Sequence, residues 1–187
     1  MDVGAVLGGD IVLTTPRFEL RPLERTDVGA LFDHFSDPAV TEFMDIEPLT
    51  ARSQAHEIVD WAQGVRADGV GVRWAIRALG GEALIDTCGF NAVVVQRGRR
   101  GEIAYDLSRA HWGRGVMAEV LPRMVAFGFE ALALRRLEAM VTPGNARSCD
   151  LLERHGFQRE GVLRDYALWK GAYCDQIVYG RVNDAVD

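Results

Sequence analysis

The segment HWGRGVMAEV, residues 111–120, places two glycines around Arg114 directly before an apolar helical pattern. The first amides of a helix have no internal partner, and the helix dipole adds partial positive charge at that end. Glycines let a ligand approach the backbone, and Arg114 could add a charge-assisted hydrogen bond. A phosphate or pyrophosphate is therefore the ligand that this turn predicts.

Two common phosphate motifs differ from this turn. A Walker A loop ends in Gly-Lys-Ser/Thr, whereas Gly115 is followed by valine and methionine. Gly113, Gly115 and Ala118 have the spacing of a dinucleotide-binding turn, but that fold needs a parallel sheet and an acid at the end of the next strand. Glu138 has the right separation but lies early in its strand. A tight turn without a ligand stays open as an alternative.

The elements that must position this turn follow from the periodicity of apolar residues. Four helices are predicted, over 25–37, 50–69, about 115–134 and 145–156. Pro122 interrupts the third helix and is expected to bend it without ending it. Strands are predicted within 11–23 and over 72–78, 83–95, 101–108, 135–141 and, as a hairpin turning at Lys170-Gly171, 157–182. This order predicts an α+β fold with a mixed, mostly antiparallel, twisted sheet of about seven strands and about four helices.

Length and composition predict a single domain over residues 1–187, in which the glycine-rich residues 1–9 are loose. No apolar run reaches the ~20 residues of a membrane span, and no basic leader is present, so a cytoplasmic protein without a membrane partner is expected. The net charge of −6 argues against a nucleic-acid partner and slightly favours a cationic substrate, although it also serves solubility. The cysteines and histidines lack metal-ligand spacing, so no metal is expected.

The sequence EIAYDLSRAHWGRGVMAE resembles the acetyl-CoA-binding motif of the GNAT N-acetyltransferases, in their RimJ/RimL-like branch. That branch shows Gly-Tyr-x-Leu at a strand end and then a Trp-Gly-Lys-Gly-x-Ala turn. The corresponding residues here are Ala104-Tyr105-Asp106-Leu107 and Trp112 to Met117. The segments NARSCDLLERHGF and REGVLRDYALWKGAYCDQIVYGRV are similar to later parts of the family pattern, so the resemblance covers residues 11–183.

The resemblance implies that acetyl-CoA, as co-substrate, donates an acetyl group to an amine. Its pantetheine arm would lie between the strand that ends at Leu107 and the strand 136–142, and would pair as an extra strand does. An unpaired amide there could stabilise the oxyanion. Met117 stands where the family prefers a smaller residue. The implied cofactor-binding residues are Leu107, Trp112, Gly113, Arg114, Gly115, Val116, Met117, Ala118, Asn145 and Ser148.

Direct attack by an amine requires a base for the ammonium proton and a proton for the leaving thiolate. Glu102 and Glu160 both resemble family glutamates with the first role, and the closer local match favours Glu160. A solvated strand residue is the alternative for each. Leu152 stands where many members carry a thiolate-protonating tyrosine, so Ser148 or water is the expected substitute. Tyr105 alternates with Glu102 and is expected to face the core.

The acceptor is expected to be either a protein N-terminal amine or a small amine. The predicted acceptor contacts are Asp33, His34 and Tyr166. Because Leu152 replaces the usual tyrosine, a non-catalytic acyl-CoA-binding sensor is an alternative, as is a transferase that uses a longer acyl-CoA. A homodimer is compatible with the resemblance.

Overall fold

One eight-stranded sheet runs through the molecule in the computed structural model, which describes residues 2–96 and 98–184. The strands are β1 Leu13–Thr14, β2 Phe18–Pro22, β3 Val72–Ala78, β4 Leu84–Val94, β5 Arg100–Tyr105, β6 Arg136–Val141, β7 Gln158–Trp169 and β8 Ala172–Val182. Their order in the sheet is β1-β2-β3-β4-β5-β6-β8-β7. All neighbouring strands are antiparallel except β5 and β6. The predicted α+β class is confirmed, with one strand more than expected.

Within the described residues, six α-helices accompany the sheet, two more than expected. They are α1 Val3–Leu7, α2 Val28–Phe35, α3 Pro38–Thr41, α4 Arg52–Ala67, α5 Val116–Ala126 and α6 Ala146–Arg154. Helix α1 corrects the expectation of a loose N-terminus, since Asp2 caps it and Val3 and Leu7, one turn apart, are buried. Helix α3 forms because Asp37 caps it and Pro38 occupies its first position. No helix within the described ranges is long and apolar enough to cross a membrane.

The helices cover two opposite faces of the sheet. On one face, α2 and α4 bury a cluster that includes Leu31, Val59 and Ala75. On the other face, α5 buries a larger cluster that includes Val120 and Met124. The apolar spacing of α5 in the sequence therefore corresponds to one buried side of the helix.

Strands β5 and β6 pair only over their first three residues, ending at Glu102 and Glu138. Beyond this point β5 continues to Tyr105 and β6 to Val141 without pairing to each other. A bulge at Asn91 on β4 shifts the register beside the same region. The two parallel strands therefore diverge, and the gap exposes backbone groups that a sheet would otherwise pair.

Helix α5 continues through Pro122, as predicted, and passes into a π-helical turn at Phe127–Ala131. Proline has no N–H to donate to the carbonyl four residues earlier, which belongs to Ala118. That carbonyl instead lies 3.1 Å from Nε2 of His155, which follows α6. The imidazole of the residue that follows α6 therefore lies between α5 and α6, with its other nitrogen 2.7 Å from the Leu151 carbonyl.

The hairpin between β7 and β8 turns at Lys170 and Gly171, as predicted, and both residues have positive φ angles. Lys170 donates from Nζ to the carbonyl of Thr41 at 2.7 Å. The tip of the hairpin is therefore fastened to the end of α3.

Candidate active site

A cavity of about 1480 Å³ passes through the gap between β5 and β6. On one side, called here the α6 side, its wall consists of the glycine turn 112–118 and α6. On the other, called the α4 side, its wall consists of α3, the connection 42–49, α4 and the tip of the β7–β8 hairpin. The divergence of the two strands thus joins two separate binding surfaces into one cavity.

The glycine turn has the backbone that an anion cradle requires. Gly113 and Gly115 have φ angles of 72° and 71°, in the left-handed region that favours glycine. The side chains of Val116 and Met117 are buried in the core cluster, and both residues also line the cavity. The first turn of α5 lines the cavity and leaves its unpaired amides available to an anion.

Arg17 supports this turn from outside the cavity. Its guanidinium donates to the carbonyls of Arg114 at 3.2 Å and Gly115 at 3.1 Å. It also pairs through Nε with Glu119 of α5 at 2.6 Å, and Glu119 accepts a further bond from Thr15 at 2.7 Å. Arg17 was not predicted as a site residue, because only the folded sheet brings it to a turn about 100 positions away.

Cationic groups lie on the α6 side of the cavity. The guanidinium of Arg147 lies 4.2 Å from the ring centre of Trp112, which donates from its indole to the Leu107 carbonyl at 2.7 Å. Arg154 also lines the cavity, and Asp150 is the one acid of α6 on the cavity wall. Arg114, by contrast, is exposed and absent from the wall. This side therefore suits an anionic ligand with aromatic contacts.

The hydrogen-bond partner of Ser148 is Tyr105, which was expected to face the core. The hydroxyls of Tyr105 and Ser148 are 2.7 Å apart, and both residues line the cavity. Burial raises the pKa of Tyr105 to about 12. Asn145 caps α6 by accepting from the Ser148 amide at 3.2 Å. Leu152 is fully buried in the core and has no proton to donate.

The two candidate bases have different surroundings. Glu102 is half-buried on the cavity wall, where burial and then the charge of Glu138 raise its pKa, while Asn91 acts in the opposite direction. Glu160 forms a two-pronged pair with Arg136, one prong at 2.6 Å, and this pair lowers the pKa of Glu160. Glu160 is also absent from the cavity wall.

Of the three predicted acceptor contacts, one lines the cavity and two do not. Tyr166 lines the cavity on the α4 side. Asp33 is exposed and His34 is buried, and neither belongs to the cavity wall. His34 bonds instead through Nε2 to Asp106 at 2.7 Å, because the fold places α2 beneath the end of β5.

A buried polar network thus lies under the cavity floor. Arg73 and Thr87 both bond to Asp106, and these partners and His34 lower the pKa of Asp106 to about 2 against the effect of burial. Burial raises the pKa of the neighbouring Asp86 to about 8. His34, Asp86 and Asp106 lie close enough to ligate a metal, but Arg73, Thr87 and His34 already engage both oxygens of Asp106.

The chain is similar in sequence to a family of known proteins. The family model described as acetyltransferase (GNAT) domain matches residues 17–158. The chain is 40% identical over 167 residues to "Uncharacterized N-acetyltransferase p20" of Bacillus licheniformis, covering 89% of this chain and 93% of that protein. It is 30% identical over 95 residues to the ribosomal protein uS5–alanine N-acetyltransferase of Escherichia coli, covering 51% of this chain and 49% of that enzyme.

Solved structures show the same fold. Mycobacterium smegmatis RimJ in complex with CoA-disulfide matches with a TM-score of 0.85 and 21% identity, over 96% of this chain and 90% of that one. The family model covers most of the chain, and p20 is similar over nearly its whole length. The chain therefore belongs to the acetyltransferase (GNAT) family and is an N-acetyltransferase.

Proposed function

We propose that this enzyme transfers the acetyl group of acetyl-CoA to a primary amine by direct attack, with Glu102 as the general base. The position of Glu102 carries the proposal. It lies half-buried on the cavity wall at the last paired position of β5 and β6. A carboxylate with a raised pKa is a better proton acceptor near neutral pH than an ordinary glutamate.

The α6 side of the cavity supports acetyl-CoA as the donor. The amides of the glycine turn would bind the pyrophosphate, and Arg147 and Arg154 would add charge-assisted contacts. The unpaired edge of β5 beyond Glu102 would pair with the amides of the pantetheine arm. The solved RimJ structure holds a CoA disulfide, which agrees with this use of the fold.

The proposed reaction forms a C–N bond and breaks a C–S bond. The amine nitrogen attacks the thioester carbonyl after its ammonium proton passes to Glu102, directly or through water. An unpaired backbone amide in the gap stabilises the oxyanion of the tetrahedral intermediate. The intermediate then expels the CoA thiolate, which takes a proton from the Ser148–Tyr105 hydroxyl pair. The nitrogen gives up its remaining extra proton through water to that pair, which yields the amide, neutral CoA thiol and restored hydroxyls.

The α4 side of the cavity and the named relatives support an acceptor class. Aromatic rings of Phe43, Trp61, Tyr166 and Trp169 line this side of the 1480 Å³ cavity. Named relatives include ribosomal-protein N-acetyltransferases, which supports a peptide N-terminal amine as one acceptor.

An acceptor screen tests the activity. Purified protein is mixed with acetyl-CoA and a panel of small amines and short peptides, and thiol release is measured together with product mass. We expect acetylation of at least one primary amine. CoA binding without turnover on any amine would contradict the proposal and favour a sensor. Parallel reactions with butyryl-CoA and longer donors test whether the acetyl group is preferred.

Paired variants test the base. Glu102→Gln should lower kcat/KM by roughly 10²-fold or more, because it removes the proton acceptor. Glu160→Gln, outside the cavity wall, is the matched control and should remain close to wild type. The wild-type rate should fall as pH drops through the raised pKa of Glu102, and the variant should lose this limb. Equal losses in both variants, or none in either, would rule out the assignment.

A further inference from the structure

Four carboxylates line the α4 side of the cavity without a cationic partner. They are Glu42, Asp45, Glu47 and Glu57, and all are exposed. None of the four forms an ion pair within residues 2–96 and 98–184. Arg73 also lines this side, but Asp106 matches its charge. The wall therefore carries a local excess of negative charge.

This excess contrasts with the α6 side. There, Arg147 and Arg154 face a single acid, Asp150, on the cavity wall. One end of the cavity thus favours an anion, and the other favours a cation. Electrostatic fields of this kind orient charged ligands as they enter a cleft.

Aromatic side chains stand among the carboxylates. Trp61 is 42% exposed and Tyr166 is 56% exposed, although both line the cavity. Exposed aromatic rings beside unpaired carboxylates form a surface to which ammonium and guanidinium groups bind through both charge and ring contacts.

A buried amide supplies an independent observation. Gln176 of β8 is 1% exposed and lines the cavity, yet its Oε1 has no hydrogen-bond partner in the described structure. Its Nε2 makes only 3.5 Å contacts, to Thr142 and Cys174. Tyr179, three positions later on the same strand, bonds to Glu153 of α6. Because strand side chains alternate, Gln176 lies on the α4 face.

An unpaired buried carbonyl oxygen is costly unless something supplies a donor. On the α4 side that donor would be an N–H group of a ligand. Gln176 and the four carboxylates therefore favour the same kind of guest, a molecule rich in N–H donors and positive charge.

We propose that the acceptor is an amine that carries a second cationic group, an ammonium or a guanidinium, held by the carboxylates of the α4 side with Gln176 accepting one of its N–H groups. This inference rests on the acetyl transfer proposed above and names the acceptor chemistry. A diamine and a peptide with a basic residue next to its N-terminus both have this chemistry.

Matched acceptors test the second charge. Butylamine is compared with 1,4-diaminobutane, and the peptide Ala-Leu-Leu-Leu with Ala-Arg-Leu-Leu, at low and high salt. We expect kcat/KM to be at least tenfold higher for the dicationic member of one pair, and the preference to shrink as salt screens the carboxylates. The pair that shows the preference distinguishes a small acceptor from a peptide.

Variants of the carboxylates test whether these residues cause the preference for a second positive charge. Glu42→Gln and Glu57→Gln should each reduce the ratio of diamine to monoamine kcat/KM several-fold. Asp68→Asn, exposed at the end of α4 and outside the cavity, is the control and should leave the ratio unchanged. Equal kcat/KM values within both acceptor pairs would overturn this inference and leave acetyl transfer intact. Absence of turnover with every amine would overturn the acetyl transfer on which it rests.

The Gln176→Met variant tests whether Gln176 contacts the acceptor or is only a buried, unpaired amide. If Gln176 is a ligand contact, the variant should raise KM for the acceptor about tenfold while the Kd for CoA stays constant. If its amide is only a buried unpaired group, its removal should raise the free energy of unfolding and leave the acceptor KM unchanged. The second result would remove Gln176 from the proposal.

Discussion

At the scale of single residues, the hydroxyl of Tyr105 changes what Ser148 can do. A serine alone is a weak proton donor, but a tyrosine hydroxyl 2.7 Å away can replace the proton that it gives. Both residues line the cavity, and the pair is proposed to protonate the CoA thiolate. Tyr105 therefore belongs to the site, although its strand position also packs it beside the core.

Tyr105→Phe should lower kcat by roughly 10²-fold for donors with a basic leaving thiolate, because the proton relay loses its second member. Ser148→Ala should have a similar effect, and the double variant should be little worse than either single one, since both act on one proton. Steady-state kinetics of the three proteins would check this.

Tyr173→Phe, on the exposed hairpin, is the control for the loss of a tyrosine hydroxyl. Losses that multiply in the double variant would mean that the two hydroxyls act independently.

The residue types alone could indicate carboxylates as candidate bases and a hydroxyl as a candidate proton donor. They could not indicate which residues form hydrogen bonds or ion pairs with these groups. Glu102 and Glu160 are both strand glutamates in the sequence. Only the fold shows that Arg136 pairs with Glu160. His34 looked like an acceptor contact because its helix shapes that region. Asp106 lies 72 positions away, and the bond between them depends on tertiary packing that no local pattern reports.

At the scale of elements, the first turn of α5 contains an apparent conflict. Its N-terminus is proposed to bind an anion, yet Glu119 places a carboxylate in that same turn. Arg17 resolves the conflict by pairing with Glu119 while it also holds two carbonyls of the glycine turn. The short turn between β1 and β2 thus stabilises the cradle from outside.

Arg17→Gln should weaken CoA binding roughly three- to tenfold, because Glu119 then repels the pyrophosphate and the turn loosens. Combining it with Glu119→Gln should recover part of the affinity by removing the repulsion. Isothermal titration calorimetry with CoA measures both effects. Arg21→Gln, on the neighbouring strand β2, is the control, and an equal loss there would point to a general charge effect.

The glycine turn, the closing hairpin and most elements could be predicted, because each has a local signature in glycine, capping residues or periodicity. Helix α1 could not be, since two buried residues, Val3 and Leu7, stabilise it only once the rest of the core exists. The divergence of β5 from β6 was expected from the family resemblance rather than from any pattern within the strands.

At the scale of the whole molecule, buried ionisable groups couple folding to pH. Burial raises the folded-state pKa of Asp86 to about 8, above its ordinary 3.8. The folded protein therefore holds a proton that the unfolded chain releases, and stability falls as pH rises through this window. Burial lowers the pKa of His34, but the hydrogen bond to Asp106 and the charge of that carboxylate outweigh burial and raise it, so His34 acts with the same sign above pH 6.5. The lowered pKa of Asp106 has the opposite effect, because stability falls as pH drops, but this occurs only in acid, between pH 3.8 and about 2.

The free energy of unfolding should decrease between pH 6 and pH 9, as measured by urea denaturation followed by tryptophan fluorescence. Asp86→Asn should flatten this decrease, because the amide cannot ionise. Asp33→Asn, exposed on the same helix as His34, should leave the slope unchanged. A wild-type slope in Asp86→Asn would show that other groups bind the proton.

Lys170, which fastens the hairpin tip to Thr41, is also the only lysine in the 187 residues. An amine-directed reagent would therefore find one side-chain target in the whole chain, and that target is engaged in a hydrogen bond whenever the hairpin is docked. The rate of its labelling would therefore report how often the hairpin tip separates from the end of α3.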